Sequence, residues 1–192
     1  GFLYHKKFSL DWVIETCFLL DDEGIYGSIT GVSAVFVALF VIFGAFIHQL
    51  GLGQYFIDLA SKMAGRSAGG PAKVAVISSA FFGTISGAAA ANVFATGTFS
   101  IPLMRRIGYR PQFAGAVEAA ASTGGQLMPP IMGAGAFLMA QITQVPYISI
   151  CKAALPASVL YFLCIGATVH YEALKYNLTT ADGLDAVPTR LL

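Results

Sequence analysis

Six side chains bearing neutral oxygens, Ser86, Asn92, Thr96, Ser122, Thr123 and Gln126, lie within otherwise apolar sequence. Hydroxyl and amide oxygens suit a small hard cation such as Na⁺ better than a transition metal. The residues beside them break helices: Gly87 follows Ser86, Gly124-Gly125 follow Thr123, and Pro129-Pro130 lie just beyond Gln126. A break leaves carbonyls free at the end of one helical piece, which can coordinate a cation. It leaves N–H groups free at the start of the next, which attract an anion. The candidate cation-binding set is therefore Ser86, Gly87, Ala88, Asn92, Gly124, Gly125 and Pro129. Thr96, Ser122, Thr123 and Gln126 are the candidates for contact with a substrate. Plainer roles stand beside these: Ser86 and Asn92 are also good helix caps, and Thr96 and Thr98 also suit helix packing.

The elements that must position these residues follow from charge and length. Residues 74–104 contain no Asp, Glu, Lys or Arg. At about 1.5 Å per residue, that stretch can cross the roughly 30 Å hydrocarbon core once. Its ends argue otherwise: Arg66 and Lys73 stand before it, and Arg105, Arg106 and Arg110 after it. Clusters of Lys and Arg mark the cytoplasmic face, so a single crossing strands one cluster outside. The expected form is a re-entrant helical hairpin over residues 72–106, folded at Ser86-Gly87, with arms of 13 and 16 residues, too short to span. Gly87 permits the turn, and the four alanines after it let backbones approach closely.

Residues 110–145 carry a single charge within the apolar part, Glu118. Pro111 suits the start of a helix, and the paired glycines and prolines interrupt it near mid-membrane. A discontinuous span with halves at 112–126 and 131–143 is expected, because broken backbone at that depth needs protein or a water-filled cavity around it. Glu118 is an intramembrane acid, and the expected role is structural, paired with Arg105, Arg106 or Arg110 near the interface.

The rest of the chain frames this pair of breaks. Residues 1–24 are expected to form a periplasmic loop whose middle can make an amphipathic turn. Within 25–65, a spanning helix at 28–50 precedes an amphipathic segment at 54–64. There Tyr55, Phe56, Leu59 and Met63 oppose Asp58, Ser61 and Lys62, which suits a helix flat on the cytoplasmic surface. Residues 150–174 read as a further span, and 175–192 as a cytoplasmic tail. This topology places eight Lys and Arg inside and three outside, as the charge rule requires.

Composition agrees with an all-α integral membrane protein. The chain has 192 residues, 56% hydrophobic and 11% charged, against about 25% charged in soluble domains. A net charge of +1 gives no support to nucleic-acid binding. Cys17, Cys151 and Cys164 have no metal-ligand spacing and no disulfide pattern. An enzyme is disfavoured, because the apolar runs hold one acid and no HExxH, GxSxG or His/Cys cluster. Two opposed breaks near the midplane are how secondary transporters build ion and substrate sites. A channel pore made from re-entrant hairpins is the alternative.

The same residues carry a resemblance. Phe82-Gly83-Thr84-Ile85-Ser86-Gly87, Ala91-Asn92-Val93 and Ile101-Pro102-Leu103-Met104 resemble the hairpin of the large membrane subunit of tripartite ATP-independent periplasmic (TRAP) transporters. Gly108-Tyr109-Arg110-Pro111, the run from Phe113 to Gln126, and Met128-Pro129-Pro130 are similar to the same subunit. Together with Glu23-Gly24-Ile25-Tyr26-Gly27, they match the type with fused small and large membrane subunits. The resemblance covers residues 23–175. It implies one half of an inverted-repeat elevator transporter, a multi-pass protein of the bacterial inner membrane. It also implies sodium as the coupling ion, with no other cofactor, and a small organic anion such as a carboxylate as substrate. The implied partners are a periplasmic substrate-binding protein, the small membrane subunit region, the other half of the transporter and the lipid bilayer. One departure stands out: the family's usual Ser-Gly-Ser reads Ser86-Gly87-Ala88 here, so a backbone carbonyl must replace the second hydroxyl if that hydroxyl is a ligand. The partner hairpin of the second repeat is absent, which suggests a piece of a longer polypeptide.

Overall fold

The computed structural model describes residues 8–20 and 24–178, which are helical with no strand among them. The middle of the segment expected as a loop, where the sequence allows an amphipathic turn, is helical. The Ser9 hydroxyl accepts from the Trp12 N–H at 3.1 Å, capping α1 (Leu10–Ile14), which continues into a π-helical turn at Glu15–Leu19. Next, α2 (Ser28–Val32) widens through a π-helical turn at Ser33–Val37 into α3 (Ala38–Gln49). The apolar stretch expected to span is thus helical throughout, with a change of hydrogen-bond pitch partway.

After Gly51, held at φ 78°, α4 (Leu52–Ala64) packs on the following helix through its small residues Gly53, Ala60 and Ala64. Phe56 does turn inward and stacks on Phe81 at 5.7 Å, but Tyr55 and Met63 point outward. Small residues win the contact because they let two helix backbones come close.

The hairpin is α5 (Gly70–Ser86) and α6 (Ala89–Ile107), joined at Gly87 and Ala88. Gly87 adopts φ 59°, a conformation that suits glycine, and its N–H closes the last turn of α5 on the Gly83 carbonyl. The arms are 17 and 19 residues, longer than expected, because helix extends back over Pro71 and Lys73 and forward through Pro102 to Arg105 and Arg106. Each arm is therefore about 25 to 29 Å long, close to the hydrocarbon thickness. Arm length does not select a re-entrant path; only the basic ends argue for one.

A turn at Gly108 and Tyr109 leads to α7 (Pro111–Gly124), with Pro111 in its first turn. One short 3₁₀ turn, Gly125–Leu127, ends this helix, and α8 (Ala134–Thr143) starts only after non-helical backbone with a cis Pro129–Pro130 bond. The break is wider than the sequence suggests. Finally α9 (Tyr147–Lys175) runs for 29 residues, about 43 Å, long enough to cross a bilayer and tilt or protrude. It is the one helix among the described residues long and apolar enough to cross by itself.

An alanine-rich core joins these pieces: Ala72, Ala75 and Val76 of α5, Met104 of α6, Ala114, Val117 and Ala121 of α7, and Val169 and Ala173 of α9. Small side chains let α5, α6 and α7 approach until their backbones nearly touch. A Cβ on Gly83 would lie 2.4 Å from the Gly125 Cα, and one on Gly124 2.2 Å from the Tyr161 ring. That approach fixes where the hairpin tip meets the break in α7.

Candidate functional site

Where α5, α6 and α7 meet, the sequence puts a polar seam into apolar helices. Asn92, Thr96 and Ser100 recur every four residues along one face of α6, and Glu118 and Ser122 do the same on α7. Asn92, Thr96, Glu118 and Ser122 are fully buried, as is Ser79 of α5. The Glu118 carboxylate accepts hydrogen bonds from four hydroxyls. Thr96, Ser122 (3.1 Å) and Ser79 (3.5 Å) reach Oε1, and Ser100 reaches Oε2. Asn92 Nδ2 donates to the Ser79 carbonyl at 2.9 Å, and a Cβ on Gly125 would lie 2.7 Å from that nitrogen. Hydroxyl donors from three helices compensate the burial of one acid, which is otherwise costly.

The expectation for Glu118 is thereby corrected. Arg105, Arg106 and Arg110 are all exposed, and Arg110 instead lies over the Tyr176 ring at 5.1 Å. A basic partner would have to reach into the seam between three helices, and the alanine packing leaves it no path. Neither is Asn92 a cap. Ala88 precedes the first turn of α6, and the Asn92 side chain is spent inside the hairpin.

A second feature sits at the hairpin tip. A cavity of about 350 Å³ is lined by Ser86, Gly87, Ala88, Gln126, Met132 and Phe137, among others. It lies where the end of α5 and the starts of α6 and α8 converge. Ser86 Oγ is buried there with no hydrogen-bond partner, a rare state for a buried hydroxyl. A Cβ on Gly87 would lie 2.0 Å from the Met132 carbonyl oxygen, so that carbonyl comes directly against the tip. Met132 is held at φ 56°, an uncommon conformation for a residue with a side chain, although that side chain is buried. Beyond Gly83, whose carbonyl takes the Gly87 N–H, the last carbonyls of α5 have no helical donor. An orphaned hydroxyl, a close carbonyl and a helix C-terminus form a set of hard oxygens that fits a sodium ion.

The structure therefore divides the candidates. Ser86, Gly87, Ala88 and Gln126 meet at the cavity. Asn92 and Gly125 stand behind it in the seam, Gly124 packs on α9, and Pro129 forms the cis bond without lining the cavity. Thr96 and Ser122 are sealed against Glu118, and their hydroxyls complete its hydrogen-bond shell. Thr123 is exposed and returns its hydroxyl to the Ala119 carbonyl at 2.7 Å. Sequence reasoning missed Met132, whose role is its backbone. It also missed Ser79 and Ser100, although the four-residue polar spacing on α6 was the available signal.

Comparison with known proteins adds a family match and three relatives. The family model described as "Tripartite ATP-independent periplasmic transporter, DctM component" matches residues 12–188. A C4-dicarboxylate TRAP transporter large permease protein of Pseudomonas aeruginosa is 35% identical over 94 residues, 49% of this chain and 22% of that protein. An isethionate TRAP transporter permease protein of Oleidesulfovibrio alaskensis is 34% identical over 105 residues, 55% of this chain and 16% of that protein. A sialic acid TRAP transporter large permease protein of Vibrio cholerae is 29% identical over 108 residues, 56% of this chain and 25% of that protein. The chain spans about a quarter or less of the length of these relatives.

Proposed function

This chain belongs to the DctM component family of tripartite ATP-independent periplasmic transporters, and on that premise we propose that its hairpin tip forms a coupling-ion and substrate site. The family is one of membrane permeases, not enzymes. In this reading the chain is one half of a multi-pass inner-membrane importer that couples sodium entry to uptake of a small organic anion. The substrate arrives from a periplasmic binding protein, and the small membrane subunit and the other half complete the machine. The fused-subunit type belongs to the same proposal; the Glu23 end of its motif lies outside the described residues.

The observation that carries the reading is the unpartnered Ser86 hydroxyl at the junction of the tip and the α7–α8 break. Ser86 Oγ, the terminal carbonyls of α5 and the Met132 carbonyl would hold sodium. A bound ion supplies positive charge beside the cavity. The N-termini of α6 and α8 face the same space, and their dipoles together with Gln126 favour a carboxylate. Relatives named for dicarboxylate, isethionate and sialic acid transport support an organic anion, a carboxylate in two of the three. Asn92 positions the tip by holding α6 to α5, and α7 through Gly125 packs against it. The Ala88 departure is accommodated, since main-chain oxygens make up most of the set.

The test is uptake by the full-length parent with its binding protein, with and without a sodium gradient, alongside Ser86→Ala. Sodium-driven uptake with a raised sodium requirement in the variant is expected. Uptake indifferent to sodium would sink the coupling reading, and ohmic single-channel currents would identify a pore.

A further inference from the structure

Glu118 is an acid with no use in the proposed ion and substrate site, yet it stands at the centre of the polar seam. Its carboxyl group is fully buried, and every hydrogen-bond partner it has in the structure is a neutral hydroxyl. We propose that Glu118 is a proton-binding site linked to the sodium site at the hairpin tip, so that proton and sodium oppose each other. The inference rests on the sodium reading above.

Three observations carry it. First, the seam can hold Glu118 in either protonation state without moving a helix. Thr96 Oγ1 lies within reach of Glu118 Oε1 and also 2.9 Å from the Asn92 carbonyl. With Glu118 ionised, Thr96 donates to Oε1. With a proton on Oε1, the new O–H donates to Thr96, and Thr96 turns its own hydrogen to the Asn92 carbonyl. A proton from solvent is added in one direction and returned in the other, and no other bond changes.

Second, the seam is too tight for a metal ion. Glu118 lines neither the tip cavity nor the cavities beside α8, between α5 and α9, or at Tyr109. Its Cγ sits so near α6 that a Cβ on Gly97 would lie 3.1 Å away. A proton needs no such space.

Third, the two sites are connected. Thr96 bonds Asn92, Asn92 bonds the Ser79 carbonyl and abuts Gly125, and Gly125 opens the break that walls the tip cavity. Along α5, Ser79, which bonds Glu118, stands about 10 Å from Ser86 at the tip. At that separation, in a protein interior, a carboxylate strengthens binding of a nearby cation on the order of tenfold. Protonation removes that help.

Other ionisable groups on the packed elements are engaged elsewhere or exposed. On α5, Lys73 reaches Ser67 at 3.1 Å and His170 at 3.0 Å; on α6, Arg105 and Arg106 are exposed. On α9, Tyr161 donates to the Ala120 carbonyl at 2.9 Å, while His170, Glu172 and Lys175 lie at the far end of that helix. Glu118 is the one ionisable residue of α7.

Sodium binding to the purified full-length transporter, measured calorimetrically across pH for wild type and Glu118→Gln, tests the linkage. The expected wild-type dissociation constant is on the order of tenfold higher with the acid protonated than with it ionised. The Gln variant, which mimics the protonated acid, should bind with the weaker constant at every pH. In weak buffer with an indicator dye, sodium should release protons from wild type and none from the variant. Wild-type affinity independent of pH, or a Gln variant with the wild-type pH dependence, overturns the proposal. If the variant does not fold, the wild-type dye measurement decides, since sodium binding without proton release overturns it equally. An absence of any sodium binding sinks the sodium reading and the linkage together; binding without proton release sinks only the linkage.

Discussion

The seam and the tip share α5 and α6 and lie within a few turns of each other, and they treat polar groups in opposite ways. In the seam every polar side chain is paired: four hydroxyls converge on Glu118, and Asn92 is spent on the Ser79 carbonyl. At the tip Ser86 is left unpaired, Met132 is held at φ 56°, and a cavity of about 350 Å³ remains. A saturated network stabilises one arrangement, whereas an unsatisfied one is ready for a ligand. The difference teaches that packing stability resides in the seam and room for an ion or substrate at the tip, although both draw on Ser, Gly and Ala.

Four substitutions, read by thermal melting of the full-length transporter in detergent, bear on that division. Gly83→Val should have the largest effect, since a Cβ there meets the Gly125 Cα at 2.4 Å and backbone cannot yield. Overpacking of this kind costs at least about 1–3 kcal/mol; an unchanged melting temperature would show that α5 and α7 do not touch as described. Ser100→Ala follows, removing a donor from a buried carboxylate at a cost of about 1.5–3 kcal/mol. Tyr161→Phe loses one hydrogen bond to the Ala120 carbonyl, worth about 1 kcal/mol. Ser86→Ala should leave melting without sodium nearly unchanged, because its hydroxyl has no partner to lose. The same variant should reduce the stabilisation that sodium confers. A large loss of stability from Ser86→Ala would erase the distinction between the two regions.

Much of the architecture was legible because its signals are local. Runs without charge gave helices, Gly87 gave the turn, Pro111 gave the start of α7, and Gly124-Gly125 with Pro129-Pro130 gave the break. What was not legible depended on packing between segments far apart in the chain. The basic cluster after α6 suggested a partner for Glu118, but the hydroxyls of Ser79 and Ser100 reach it and the arginines face outward. Composition also could not tell that Thr96 and Ser122 point into the seam rather than at the cavity; only the rotation of α6 against α7 decides that. The Met132 carbonyl has no side-chain signature at all. The turn allowed in the middle of residues 1–24 extends to a helix at Leu10–Ile14 and a π-helical turn, although its apolar residues are exposed.

The contact between Gly83 and Gly125 has a kinematic consequence. Two backbones that touch without side chains between them have no play: neither can slide or tilt without colliding with the other. In a transport cycle of the proposed kind, the hairpin tip and the start of the break would move together at this contact, which holds the Ser86 and Gln126 walls of the cavity near each other.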